Sequence, residues 1–207
     1  MATIGLDSLY YAKITEASSA STGVEIGDET YGTPVKLAKA IDADLAVELL
    51  EAVLYADDGA DTTIKEFKSG TLTLGINDIG TQAAQDLTGA TLDSKGVLIS
   101  TSEDEPAPVA IGFRAKTASG HYRYFWLYRV KFGIPSASLK TKGDGIEFST
   151  PSIEGTISRR NKKDGSGKHP WKAEVTEGQT GVTASVITGW FSSVYEPTYS
   201  SGNGGST

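Results

Sequence analysis

The chain has 207 residues, 38% hydrophobic and 9% aromatic, with 24 glycines, no cysteine and a formal net charge of −7. That length supports one good core. The absence of cysteine excludes disulfides and thiol chemistry. The acidic balance opposes phosphate-dominated nucleic-acid binding, which needs Lys and Arg to neutralise the backbone. No basic segment followed by an apolar one opens the chain, so no signal peptide is expected, and no apolar run is long enough to span a bilayer.

Residues 1–34 read as an arm. Ser8-Leu-Tyr-Tyr-Ala-Lys-Ile-Thr15 alternates as a strand does, the stretch from Glu16 to Gly32 is rich in Ser, Thr, Gly and acids, and Tyr31-Gly-Thr-Pro34 reads as a turn. Residues 35–56 fit two readings. Alternation puts Ile41, Ala43, Leu45, Val47 and Leu49 opposite Asp42, Asp44, Ala46 and Glu48. Helix formers with Leu45, Leu49 and Val53 spaced four apart favour a helix on propensity.

A turn at Tyr55-Ala-Asp-Asp-Gly59 precedes a strand within 64–77, where Leu72, Leu74 and Ile76 alternate. Thr81 to Leu87 reads as a short helix, capped by Thr81 or Asp78 and stopped by Gly89. Gly96 to Thr101 reads as a strand. Two longer strands follow, Val109 to Lys116 and Tyr122 to Phe132, joined by a hairpin at Ala118-Ser-Gly120. Strict alternation gives the second one an aromatic face of Tyr122, Tyr124, Trp126, Tyr128, Val130 and Phe132. A buried core face is the plainer reading of that stripe, a sugar-binding platform the sharper one.

Gly143-Asp-Gly145 is a turn. Ile146 to Ser158 is a strand broken at Pro151, and Asp164-Gly-Ser-Gly167 tips a hairpin returning through Trp171 to Thr176. Thr188 to Tyr195 holds one turn of helix, and Ser200 to Thr207 is a Gly/Ser tail. Seven or eight strands and one short helix predict a mainly β protein, a sandwich or barrel.

Chemistry-bearing patterns are scarce. His121 and His169 lack metal-ligand spacing, and no nucleophile elbow occurs. Gly165-Ser-Gly-Lys168 is preceded by Lys162 and followed by His169 where a phosphate loop needs Gly and Ser or Thr. Asp57, Asp58 and Asp61 miss the alternating spacing of a calcium loop, so a solvated turn is the plainer reading. No catalytic, cofactor or metal site is nominated, and an enzyme is the least favoured class. The one basic cluster, Arg159, Arg160, Lys162, Lys163 and Lys168, is either a solvated hairpin end or a surface that meets acidic patches on a neighbouring subunit.

An ordered series of segments resembles the major tail tube proteins of long-tailed, non-contractile phages of Gram-positive bacteria. It comprises Gly5-Leu-Asp-Ser-Leu-Tyr-Tyr-Ala12, Tyr31-Gly-Thr-Pro34, Leu54-Tyr-Ala-Asp-Asp58 and Gly70-Thr-Leu-Thr-Leu-Gly75. It continues with Pro108-Val-Ala-Ile-Gly-Phe-Arg114, Gly120 to Tyr128, Thr141-Lys-Gly-Asp144 and Ile146-Glu-Phe-Ser-Thr-Pro151. The resemblance implies a β-sandwich or barrel-like tube domain over 35–178, with one flanking helix and arms at 1–34 and 179–207. It also implies an extended hairpin, not a helix, within 35–56.

In such proteins hexameric rings stack into a hollow tube in the virion tail, which conducts double-stranded DNA into the host without binding it specifically. Partners implied are the tape measure, tail terminator and tail-tip proteins. With 40–51 as a strand, Asp42, Asp44 and Glu48 share its polar face, which is either a solvated outer face or a candidate to line the bore, where anions would keep DNA sliding. Arg159, Arg160, Lys162 and Lys163 become candidate subunit-interface cations. The competing readings are a monomeric β-sandwich sugar-binding module with an accessible Trp126, and the inner tube of a contractile injection machine.

Overall fold

The computed structural model describes residues 3–21, 24–56, 59–136 and 150–199, without the side chains of 53–56 and 59–62. The strands are β1 (Thr3–Glu16), β2 (Glu29–Tyr31), β3 (Val35–Ala38), β4 (Ala40–Ala56), β5 (Gly59–Ile76), β6 (Thr91–Leu92), β7 (Leu98–Ile99), β8 (Val109–Thr117), β9 (Tyr122–Phe132), β10 (Ser152–Ser158) and β11 (Lys172–Thr176). Two helices, α1 (Thr81–Thr88) and α2 (Ala184–Gly189), complete the elements. The expected turn at Gly143, the strand start at Ile146 and the Gly/Ser tail lie outside the described residues, as do Asp57 and Asp58.

The main sheet is antiparallel and runs β2-β1-β8-β9-β10-β5-β4, with β3 added to β1 and β11 to β9. Its two ends meet through one segment. β3 pairs with β1, and after the single residue Lys39 the chain continues as β4, which pairs with β5. The junction is fixed by Asn77, whose side-chain oxygen accepts the Lys39 N–H while its own N–H donates to the Lys39 carbonyl. The circuit β1-β8-β9-β10-β5-β4/β3 is therefore a closed barrel, which removes most free sheet edges.

Alternation along each strand fills the barrel. Leu9 and Tyr11, Val109 and Ile111, Ile153 and Ile157, and Leu72, Leu74 and Ile76 all point inward and form one buried cluster. The α1 helix plugs one end of the barrel with Ala83 and Leu87, which join that cluster. Its start cap is Gly80, not Thr81 or Asp78, and Gly89 ends it at φ 80°, as the Gly signal predicts.

The aromatic strand corrects the strict alternation. Val109 faces Val130 but Ile111 faces Leu127, so β9 carries one extra residue across that step. The bulge flips the side-chain parity. Phe125, Leu127, Val130 and Phe132 belong to the barrel interior, whereas Tyr124, Trp126 and Tyr128 point outward into a second cluster. Trp126 is completely buried there and its indole N–H donates to the Trp190 carbonyl at 2.9 Å. It offers no accessible sugar platform.

Three more expectations change. Thr3–Glu16 is a central barrel strand rather than part of an arm, with Leu9 and Ala12 fully buried. The segment 179–199 is a strap on the barrel's outer wall, where Trp190, Val194 and neighbouring Phe191 and Tyr195 cover Tyr124, Trp126 and Tyr128. The Asp164 loop closes on itself, with the Asp164 N–H donating to the Lys168 carbonyl and the Arg160 N–H to the Pro170 carbonyl, but the strands it joins do not form a hairpin: β10 and β11 both pair with β9, end to end along one edge, and not with each other. Residues 35–56 are extended, as the resemblance implies and against propensity; pairing with a long neighbour outweighs local preference. Only Leu98–Ile99 of the expected strand at 96–101 pairs, with Thr91–Leu92.

Candidate assembly surfaces

β4 and β5 are far longer than their neighbours, at 17 and 18 residues. β10 flanks β5 only from Gly70 to Gly75, so beyond Ser69 the two strands continue as a ribbon that pairs with itself. An extra residue at Lys68, where Glu48 faces Ser69 but Leu49 faces Phe67, marks where the ribbon leaves the wall. Phe67 stacks on Trp171 at 4.5 Å and anchors its base. At and past that anchor Leu49, Leu50 and Ile64 are each more than half exposed, and Val47, which faces Gly70 just before it, is 43% exposed. An isolated two-stranded ribbon is marginal in water, and aliphatic residues on both of its faces leave both without cover.

Asp42, Asp44 and Glu48 share the outer face of β4, opposite Gly75, Thr73 and Ser69. Asp42 accepts the Gly75 N–H at 3.1 Å, and a Cβ at Gly75 would overlap that carboxylate. Glu48 accepts from Lys68 and Ser69, both at 3.2 Å, and the Lys68 hydrogen bond holds its carboxyl below the ordinary range. Register extends this face across the wall through Thr71 and Thr73 of β5 to Glu154 and Thr156 of β10. The result is a broad patch of carboxylates and hydroxyls. Glu154 joins the acidic set unforeseen, because only pairing brings it beside Thr73.

The four candidate cations do not form one surface. Arg160 is 1% exposed, its guanidinium lying 4.8 Å from the Tyr128 ring centre and donating to Glu196 at 2.8 Å. Arg160 is therefore withdrawn as a subunit-facing residue; it ties the strap to the barrel. Lys162 reaches Glu196 and Lys163 reaches Glu25, both within the chain and both partly exposed. Arg159 is exposed. Two more ties hold the strap. The Tyr128 hydroxyl donates to the Tyr195 carbonyl, and the Tyr199 hydroxyl donates to Asp164. That last hydrogen bond, with N–H donors from Ser166 and Lys168, pushes the Asp164 carboxyl well below its ordinary value. The strap had a visible signal in Trp190, Phe191 and Tyr195, aromatics too dense for a free arm.

A second buried ion pair joins Arg129 of β9 to Glu29 of β2, with Glu16 as a further partner. Burial pushes the Glu29 carboxyl up against the pull of Arg129. The remaining surface has shallow clefts. One of about 490 Å³ lies between the β8–β9 turn and Glu177–Gln179, near His121. Another of about 450 Å³ lies at the α1 end of the barrel, lined by Ile79, Ala84, Leu98, Ile134 and Pro135. Among the described residues no group of three or more potential metal ligands gathers, and no helix is long and apolar enough to cross a membrane. His169 is occupied by the Arg160 carbonyl at 3.1 Å.

No protein-family model matches the sequence, and no curated protein does. Among solved structures the fold is similar to a chain in the cryo-EM structure of the anti-feeding prophage cap, its tube terminating cap. That likeness has 10% identity over 80% of this chain and 87% of that one, with a TM-score of 0.38. A chain of the anti-feeding prophage baseplate is similar at 6% identity, 84% and 97% coverage and a TM-score of 0.35.

Proposed function

We propose that this chain is a phage-tail-like structural protein whose copies close into hexameric rings that stack into a tail tube, the passage for DNA during ejection. The observation that carries the reading is the β4–β5 ribbon, which projects aliphatic residues beyond a barrel that is otherwise closed and filled. A feature of that kind is a liability in a monomer and an asset in an assembly, where a neighbouring copy covers it. The order of segments that resembles tail tube proteins supports the ring and tube form, and with it the tape measure, terminator and tail-tip partners and residence in the virion tail. Asp42, Asp44, Glu48 and Glu154, on a wall of small hydroxyl side chains, are assigned to the bore. Anions there repel the phosphate charge carried about every 1.7 Å of duplex axis, and the cation beside them, Lys68, is paired with Glu48. Arg159, with Lys162 and Lys163 beside it, is assigned to a subunit contact.

Negative-stain electron microscopy of purified protein at low and high concentration tests the reading. Hollow rings and tubes are expected to grow with concentration, and Leu49→Asp/Leu50→Asp protein to remain monomeric with unchanged circular dichroism. Compact monomers at every concentration, also in the presence of a tail-tip complex, would refute it.

A further inference from the structure

The outer face of β4 and β5 runs on past β10 to β9. Register sets Thr156 of β10 beside Lys131 and Ser158 beside Arg129, so both cations lie on this wall. The extra residue of β5 adds a third, Lys68. Each of the three is met by a carboxylate of its own chain. Glu48 lies 3.2 Å from Lys68, Glu105 lies 3.2 Å from Lys131, and Arg129 is shared by Glu16 and Glu29. That is not the rule over the whole surface: among the described residues Lys39, Lys95, Lys116 and Arg159 form no ion pair. Asp44 and Glu154, one on either side of Thr73, likewise have none, so only part of the acidic set answers a cation.

A lone lysine on a wall that DNA passes is a grip, because it neutralises a phosphate and releases a counterion. A carboxylate 3.2 Å away cancels it. That separation is well inside the screening length of about 8 Å at physiological salt, so a phosphate outside the pair meets little net charge. Exposed pairs of this kind add little to stability, and their effect on this wall is on its charge. The bulge makes the match at Lys68 close, since it turns two consecutive residues, Lys68 and Ser69, onto the same Glu48 oxygen, each at 3.2 Å. We propose that Glu48 and Glu105 mask Lys68 and Lys131 on the wall of the bore, so that a duplex slides past cations it would otherwise bind, while Asp44 and Glu154 supply the repulsion. This rests on the assignment of the wall to the bore made above.

Glu48→Gln/Glu105→Gln removes both masks and keeps an acceptor of the same length for Ser69. Its control is Asp78→Asn/Glu103→Gln, which loses the same charge from carboxylates that form no ion pair among the described residues. The probe is a short labelled DNA duplex, its binding to purified rings or tubes followed by fluorescence anisotropy across a salt series. The unmasked variant is expected to bind several-fold more tightly than wild type or control, with a salt slope steeper by about 0.9 for each lysine that meets a phosphate. Adding Lys68→Met/Lys131→Met is expected to abolish the gain, and virions with the unmasked wall to eject DNA more slowly. No gain over the control, or a gain that survives loss of the lysines, would overturn the masking and leave the bore assignment intact. A gain in binding with unchanged ejection kinetics would take this wall out of the bore and overturn both.

Discussion

Replacing Glu196 by Ala is expected to destabilise the protein more than replacing Arg160 by Met, although both remove the same ion pair. The asymmetry comes from burial. The Arg160 side chain is 1% exposed and that of Glu196 is 41% exposed. Loss of Glu196 strands a buried guanidinium whose Nε already lacks a partner. Breaking a buried pair in that way costs about 3–5 kcal/mol; the water around Glu196 reduces this to roughly 2–3 kcal/mol. Arg160→Met instead leaves a carboxylate that solvent and Lys162 can satisfy. It loses one charge-assisted hydrogen bond and the contact with Tyr128, but also the desolvation of the cation, for a net cost of about 1 kcal/mol. For a domain of this size each kcal/mol moves Tm by about 2–4 °C. Calorimetry should therefore show a drop of roughly 4–12 °C for Glu196→Ala and about 2–4 °C for Arg160→Met. A larger drop for Arg160→Met would refute the claim that desolvation dominates at this tie.

Gly112→Ala should cost about 1–3 kcal/mol, because the new Cβ would sit 2.8 Å from the Trp126 ring; urea unfolding and near-ultraviolet dichroism would read the loss. Trp190→Ala should cost about 3–5 kcal/mol and expose 184–199 to protease; a resistant strap would count against its role as cover for Trp126. The depressed Asp164 carboxyl stabilises docking of Tyr199 above the ordinary value of 3.8, and that stabilisation is lost as pH falls through the lower folded value. Tyr199 ring resonances should stay in their docked positions from pH 7 to about 4 and move only below; movement near neutrality would contradict the tie. On the proposed tube reading, virions with Asp42→Lys/Asp44→Lys/Glu48→Lys should carry intact tubes and eject DNA more slowly, and unchanged ejection kinetics would remove these residues from the bore.

Much of the barrel was legible because period-two alternation is a direct consequence of strand geometry. Leu72, Leu74 and Ile76 needed no tertiary information, and Gly89 marked the end of α1. The errors have a common physical origin. A bulge adds one residue and reverses parity, so the stripe from Tyr122 to Phe132 read as one face but is divided between two cores. Nothing in the local sequence shows that β9 has an extra residue, since the bulge is defined by pairing with β8. Likewise Arg160 looks solvent-bound beside Arg159, Lys162 and Lys163, and only the folded strap brings Glu196 and Tyr128 to it. The acidic face of β4 was visible as alternation, whereas its continuation to Glu154 depends on which strand lies beside β5.

The one-residue step at Lys39 gives the barrel a mechanical property. The segment that seals the wall against β1 is continuous with the ribbon that reaches outward, so axial tension on the ribbon runs straight into the seam. Along β4 and β5 that pull is parallel to the strands and perpendicular to their hydrogen bonds. The bonds are loaded in shear and must yield together, not one after another as in peeling. In the proposed tube, a pull on the ribbon from a neighbouring copy would thus run along the strongest direction of each subunit.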